Sequence, residues 1–152
     1  MSKPFSTLGL SAPILKALSE LNIVEPTEIQ QKTIPLLLAE TQDVVGLAKT
    51  GTGKTAAFAI PIIDLVDPDF NRPQAIILCP TRELAVQVEG EIQKLAKYHK
   101  KISSVAIYGG ESIDKQIRTL KKGVQMFSRS SAGIPGPSSQ TSIATMRERR
   151  SF

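Results

Sequence analysis

The stretch Ala48-Lys49-Thr50-Gly51-Thr52-Gly53-Lys54-Thr55 constrains this chain more than any other. Before it runs Asp43-Val44-Val45-Gly46-Leu47, short and apolar as a buried strand should be. After it runs Ala56-Ala57-Phe58-Ala59-Ile60, which favours helix. A loop that leaves a strand and opens a helix aims its backbone N–H groups and the helix N-terminus at one point, and that point attracts a triphosphate. Gly51 and Gly53 permit the tight turn and let phosphate oxygens approach the backbone. The spacing predicts Lys54 at the β- and γ-phosphates and the Thr55 hydroxyl on Mg²⁺, so these two are the candidate catalytic residues. The strict pattern asks for Gly where Ala48 stands. A chance Gly-Lys-Thr turn is the plainer alternative, and the flanking strand and helix patterns argue against it.

Around this loop the chain alternates helix and strand. The apolar spacing predicts helices over 12–20, 27–39, 54–66, 82–98 and 112–122, and strands over 44–47, 75–79 and 104–108. That alternation predicts an α/β fold, a parallel sheet with helices on both faces. At 152 residues with 41% hydrophobic content, one domain with its own core is expected.

Three further stretches carry chemistry. Gln30 follows Glu25-Pro26-Thr27-Glu28-Ile29, and Phe5 lies upstream. A side-chain amide offers a donor and an acceptor together and so matches the edge of adenine, while an aromatic ring can stack on its face. Read alone, Gln30 is a solvated helix residue and Phe5 a core or terminal aromatic. Pro26 fits the first turn of a helix, and Thr27 or Glu25 can mark its start. Downstream, Pro80-Thr81-Arg82-Glu83-Leu84-Ala85 follows an apolar run. Pro80 ends a strand, Thr81 can cap the next helix and Glu83 suits its first turn. Gly109-Gly110 closes a third strand.

These stretches, in this order and spacing, resemble the DEAD-box family of ATP-dependent RNA helicases. The resemblance covers about residues 1–125. That family has Ala at the first loop position, an adenine-reading Gln motif with an upstream aromatic, the Pro-Thr-Arg-Glu-Leu-Ala segment and the Gly-Gly pair. The resemblance implies the first RecA-like domain, a P-loop NTPase fold, with a Gln motif over about 1–31. It implies that Phe5, Gln30 and Ala48, Lys49, Thr50, Gly51, Thr52, Gly53, Lys54 and Thr55 bind ATP with Mg²⁺. Pro80, Thr81, Arg82, Gly109 and Gly110 would bind the RNA sugar-phosphate backbone, positioning a strand without reading its sequence. Asn22 stands where the family usually has Gly, and Asn tolerates the left-handed conformation of a helix C-cap. ATP hydrolysis coupled to RNA duplex separation is the implied reaction. A nucleotide- or RNA-binding module without turnover, or an inert truncated product, is the alternative from another class. A small-molecule kinase is opposed by Gln30 and the Pro80–Ala85 segment.

Charge adds little to the RNA reading. Of the net +5, +3 comes from Arg129, Arg147, Arg149 and Arg150 set against Glu148, which leaves the body only weakly basic. No apolar run approaches membrane-spanning length, no secretory signal precedes the motifs, and Cys79 is a lone core cysteine rather than part of a disulfide or metal site. His99 sits among Lys97, Lys100 and Lys101 and reads as a cation at a helix end. A cytoplasmic protein is expected.

After Gln125 the pattern breaks. The family continues with a buried strand, whereas this chain reads Met126-Phe127-Ser128-Arg129-Ser130-Ser131-Ala132-Gly133, rich in Ser and Gly with no sustained apolar period. Residues 126–152 are therefore expected to be a disordered tail, either a natural extension or the product of a reading-frame change near Gln125. No Asp-Glu-Ala-Asp segment occurs within the 152 residues. In the resembling family that segment holds Mg²⁺ and orients the attacking water. The strands that would flank 44–47 are also missing, which predicts open sheet edges there.

Overall fold

A computed structural model of the protein describes residues 4–39, 43–49, 51–130 and 142–145. The chain divides into two compact units, residues 1–65 with 94–100, and residues 66–93 with 101–152.

The first unit is helical. A 3-10 turn over Phe5–Thr7 precedes α1 (Ala12–Glu20), α2 (Glu28–Leu38) and α3 (Lys54–Leu65). Helix α1 ends at Asn22, which takes φ 55°. Asn pays less than most residues for that left-handed geometry, so the expected cap forms without Gly. Thr27 is the N-cap of α2 and Pro26 stands outside the helix rather than in its first turn. Ile14, Leu18, Ile34, Ile60 and Ile63 are buried and form the apolar centre. Asp64 of α3 accepts from the Ser11 backbone N–H at 2.8 Å and from the Ser11 hydroxyl, and His99 Nε2 lies 3.4 Å from the same carboxylate. His99 is thus a structural neighbour of Asp64.

The predicted strand over 44–47 does not form. Residues 43–49 have no ladder partner, and Val45 and Leu47 are 84% and 77% exposed. An apolar run becomes a strand only where neighbours take its N–H and C=O groups. The described strands pair elsewhere.

The second unit holds those strands: β1 (Ala75–Cys79), β2 (Ser104–Ile107), β3 (Met126–Ser130) and β4 (Ser142–Thr145), in the order β2-β3-β1-β4. β3 runs parallel to both β1 and β2, with Ile77 opposite Ser128 and Ala106 opposite Ser128. β4 is antiparallel to β1, which makes the sheet mixed. Helix α4 (Arg82–Leu95) covers one face: the buried Ser128 hydroxyl donates to the Ala85 carbonyl at 2.9 Å, and the Ser104 hydroxyl donates to Glu89 at 2.7 Å. Helix α5 (Ile113–Lys121) follows β2.

β3 corrects the expectation of disorder from residue 126. Met126 and Ser128 are fully buried on the α4 side, and Ser128 finds a carbonyl there, so a serine serves as a core residue. Pairing on both edges carries a strand whose composition alone argues against one. The rest of the predicted tail, 131–141 and 146–152, lies outside the described residues. No helix among the described residues is long and apolar enough to cross a membrane.

Candidate nucleotide and nucleic-acid sites

The phosphate loop enters α3 directly, and Lys54 is the first helical residue. The first N–H groups of a helix have no partner inside it and face the loop. Gly51 and Gly53 both take φ +78°. A Cβ on Gly51 would meet nothing within 4 Å, so the space above that turn is open. A Cβ on Gly53 would lie 2.4 Å from Gln30 Nε2 and 3.5 Å from Thr27 Oγ1. Lys54 folds back over the loop and donates to the Ala48 carbonyl at 2.6 Å, while the Thr52 hydroxyl donates to Lys49 O at 2.7 Å. Thr55 is half-buried in the first turn of α3. Thr50 lies outside the described residues.

Gln30 is bound into this loop. It is 3% exposed, its Oε1 accepts from the Thr27 N–H at 2.9 Å and its Nε2 donates to the Gly53 carbonyl at 3.0 Å. The first bond is half of a capping box at the start of α2. The second ties α2 to the turn that leads into Lys54. A purine edge must therefore use the second lone pair and second N–H of the amide, or displace these bonds. Phe5 is 4% exposed and packs into the first unit.

The loop fits a nucleotide phosphate: an open glycine turn, a helix start, a lysine and a hydroxyl converge there. For the metal the fit is partial. Among the described residues no group of three His, Cys, Asp or Glu side chains is placed to hold an ion.

The second cluster lies in the second unit. Thr81 caps α4, its hydroxyl accepting from the Leu84 N–H at 3.2 Å, as the sequence predicts. Pro80 ends β1, Arg82 opens α4, and Thr81, Arg82, Gly109 and Gly110 are all exposed. Gly110 takes φ +89°, and a Cβ there would come within 3.4 Å of Arg82 Nη1. The structure thus brings Arg82 and the Gly109-Gly110 turn together. Tyr108 was not among the predicted site residues. Its ring centroid lies 4.4 Å from Arg82 Cζ. An aromatic directly before a Gly-Gly pair was the available signal. Glu111 is paired with Lys115 at 2.7 Å. That hydrogen bond, with lesser help from the Tyr108 phenol and the charges of Lys115 and Arg82, holds the Glu111 carboxyl below its ordinary range.

Comparison with known proteins identifies the family. Residues 27–134 match the family described as DEAD/DEAH box helicase. The ATP-dependent RNA helicase DeaD of Klebsiella pneumoniae is 46% identical over 132 residues, 87% of this chain and 20% of that protein. The DEAD-box ATP-dependent RNA helicase CshA of Geobacillus kaustophilus is 49% identical over 132 residues, 87% of this chain and 27% of that protein. The crystal structure of a DEAD box protein from the hyperthermophile Methanococcus jannaschii superposes with a TM-score of 0.79 at 44% identity, covering 86% of this chain and 35% of that one. The RNA helicase Prp28 from Chaetomium thermophilum, solved with ADP, gives a TM-score of 0.76 at 35% identity over 84% of this chain and 32% of that one. The chain spans 20% and 27% of the length of the two curated relatives named here. With the family matched over most of its length, this chain belongs to the DEAD/DEAH box helicases.

Proposed function

We propose that this chain is the nucleotide-binding part of an ATP-dependent RNA helicase. The observation that carries the reading is the Gly51–Thr55 turn opening α3 with Gln30 docked on its Gly53 carbonyl. Gly51, Thr52 and Gly53 would receive the phosphates through backbone N–H groups. Lys54 would exchange its bond to Ala48 O for phosphate oxygens, and Thr55 would ligate Mg²⁺. When bound, the metal supplies charge neutralisation on the phosphates. Gln30 is the adenine contact, and because it also holds Gly53, nucleotide entry and the loop's conformation are linked through one amide. Ala48 and Lys49 frame the loop's entry, and we assign Thr50 there on sequence alone. Phe5 supports the packing of the first unit.

RNA is the second ligand. Thr81 and Arg82 at the start of α4, with Pro80 before them and Gly109-Gly110 alongside, form a small basic, open-backbone surface that suits sugar-phosphate.

Hydrogen exchange tests the reading. Mg·ADP is expected to slow exchange over residues 51–57, and a short single-stranded RNA to slow it over 81–85 and 109–111. Saturating ligand that leaves both segments unprotected rejects it.

A further inference from the structure

The exposed arginine at the start of α4 is held by more than its own helix. Its guanidinium lies over the Tyr108 ring, with Cζ 4.4 Å from the centroid. Tyr108 is itself clamped at the backbone. Gln116 of α5 donates from Nε2 to Tyr108 O at 3.0 Å and accepts from Tyr108 N at 3.3 Å. The same Nε2 reaches the Glu111 carbonyl at 3.5 Å, so one amide spans both ends of the Gly109-Gly110 turn. The nearby carboxylate of Glu111 is taken up by Lys115 at 2.7 Å. Among the described residues, Arg82 has no carboxylate within ion-pair distance.

A cation on an aromatic face keeps its outward N–H groups free, because the ring engages only one side of the guanidinium plane. Gly110 leaves room for that plane, since a Cβ there would press on Nη1 at 3.4 Å. The result is a preset cation beside an open turn.

We propose that Tyr108 is a positioning residue for RNA-backbone binding: its ring, on a backbone clamped by Gln116, holds Arg82 in place beside Gly109-Gly110 to meet a phosphate. The proposal rests on the reading that Arg82 and this turn bind RNA. Tyr108 does not touch the RNA in this arrangement; it acts through Arg82. Ordering a long side chain in advance removes part of the entropy that binding otherwise costs.

The test is fluorescence anisotropy with a labelled 12-nucleotide oligouridylate, using the full chain and its Tyr108→Phe, Tyr108→Leu, Arg82→Ala and Tyr108→Leu/Arg82→Ala variants. Tyr108→Phe keeps the ring and is expected to bind within about twofold of wild type. Tyr108→Leu is expected to weaken binding roughly three- to tenfold, within the range of a partly desolvated cation–π contact. In the Arg82→Ala background the same change is expected to have no further effect, which a general structural role would not produce. Gln116→Ala, which frees the clamp but keeps the ring, serves if Tyr108→Leu does not fold, and its loss should also vanish without Arg82. Wild-type affinity for Tyr108→Leu or for a folded Gln116→Ala, or an equal loss with and without Arg82, overturns the proposal while leaving the RNA site intact. Wild-type affinity for Arg82→Ala removes the RNA assignment itself.

Discussion

Gly53→Ala is the substitution that most sharply separates backbone strain from a specific contact. Gly51 and Gly53 share φ +78°, so alanine at either should carry a similar conformational cost, about 1–2 kcal/mol. They differ in surroundings. Gly51 has nothing within 4 Å of a new Cβ, whereas at Gly53 that atom would lie 2.4 Å from Gln30 Nε2 and 3.3 Å from its Cδ. Gln30 is 3% exposed and committed to Thr27 N as well as Gly53 O, so it cannot swing aside without losing a bond. A buried hydrogen bond broken with its partners left unpaired costs a further ~1–2 kcal/mol. Gly53→Ala is therefore expected to cost about 2–4 kcal/mol and Gly51→Ala about 1–2 kcal/mol. In a Gln30→Ala background the excess at Gly53 should vanish. Urea denaturation of the three single and two double variants against wild type measures this as a coupling energy. Costs equal within about 0.5 kcal/mol at both glycines, in both backgrounds, would refute the reasoning.

Two other outcomes follow. Burial pushes the Glu89 carboxyl above its ordinary value, only partly offset by hydrogen bonds from Ser104 and Gln93, and Oε2 has no partner. The folded chain then holds that proton more tightly than the unfolded one, so stability from this group is full below the ordinary carboxylate value of 4.5 and is lost as pH rises through the raised one. Glu89→Gln should gain stability relative to wild type over that rise, and a pH-independent difference in urea midpoint would contradict this. Phosphate release by the purified chain should show no Lys54-dependent turnover, with or without RNA; RNA-stimulated release near ~1–10 s⁻¹ that is lost in Lys54→Ala would contradict it.

What could be read from residues alone follows a physical line. Helix α1 and strand β1 have the predicted bounds because their patterns are local: an apolar stripe ending at an αL-tolerant Asn22, and a short run closed by Pro80. The phosphate loop and the Thr81 cap were readable for the same reason, since each depends on a few adjacent residues. The failures are non-local. Val44–Leu47 has a strand's composition and no ladder partner, while Met126–Ser130 has a tail's composition and two. Ser128 looks like a surface residue until the Ala85 carbonyl lies 2.9 Å away. The sequence marks Gln30 only through the family resemblance, and its bond to Gly53 across 23 positions depends on how α2 and α3 pack. Tyr108 was passed over because its partner, Arg82, lies 26 positions earlier in the chain.

Calorimetric titration of Mg·ATP into the wild-type chain and Lys54→Ala bears most directly on the nucleotide site. Lys54 directly follows Gly53 and donates to Ala48 O at 2.6 Å, a bond that its ammonium would exchange for phosphate oxygens. Charge-assisted contacts of this kind are worth roughly 1.5–3 kcal/mol, which corresponds to about a 10- to 150-fold loss of affinity on removal. The predicted result is saturable heat with wild type, abolished or weakened to that degree in a folded Lys54→Ala variant. Equal binding of Mg·ATP by the two proteins would contradict the assignment of this loop as the phosphate site.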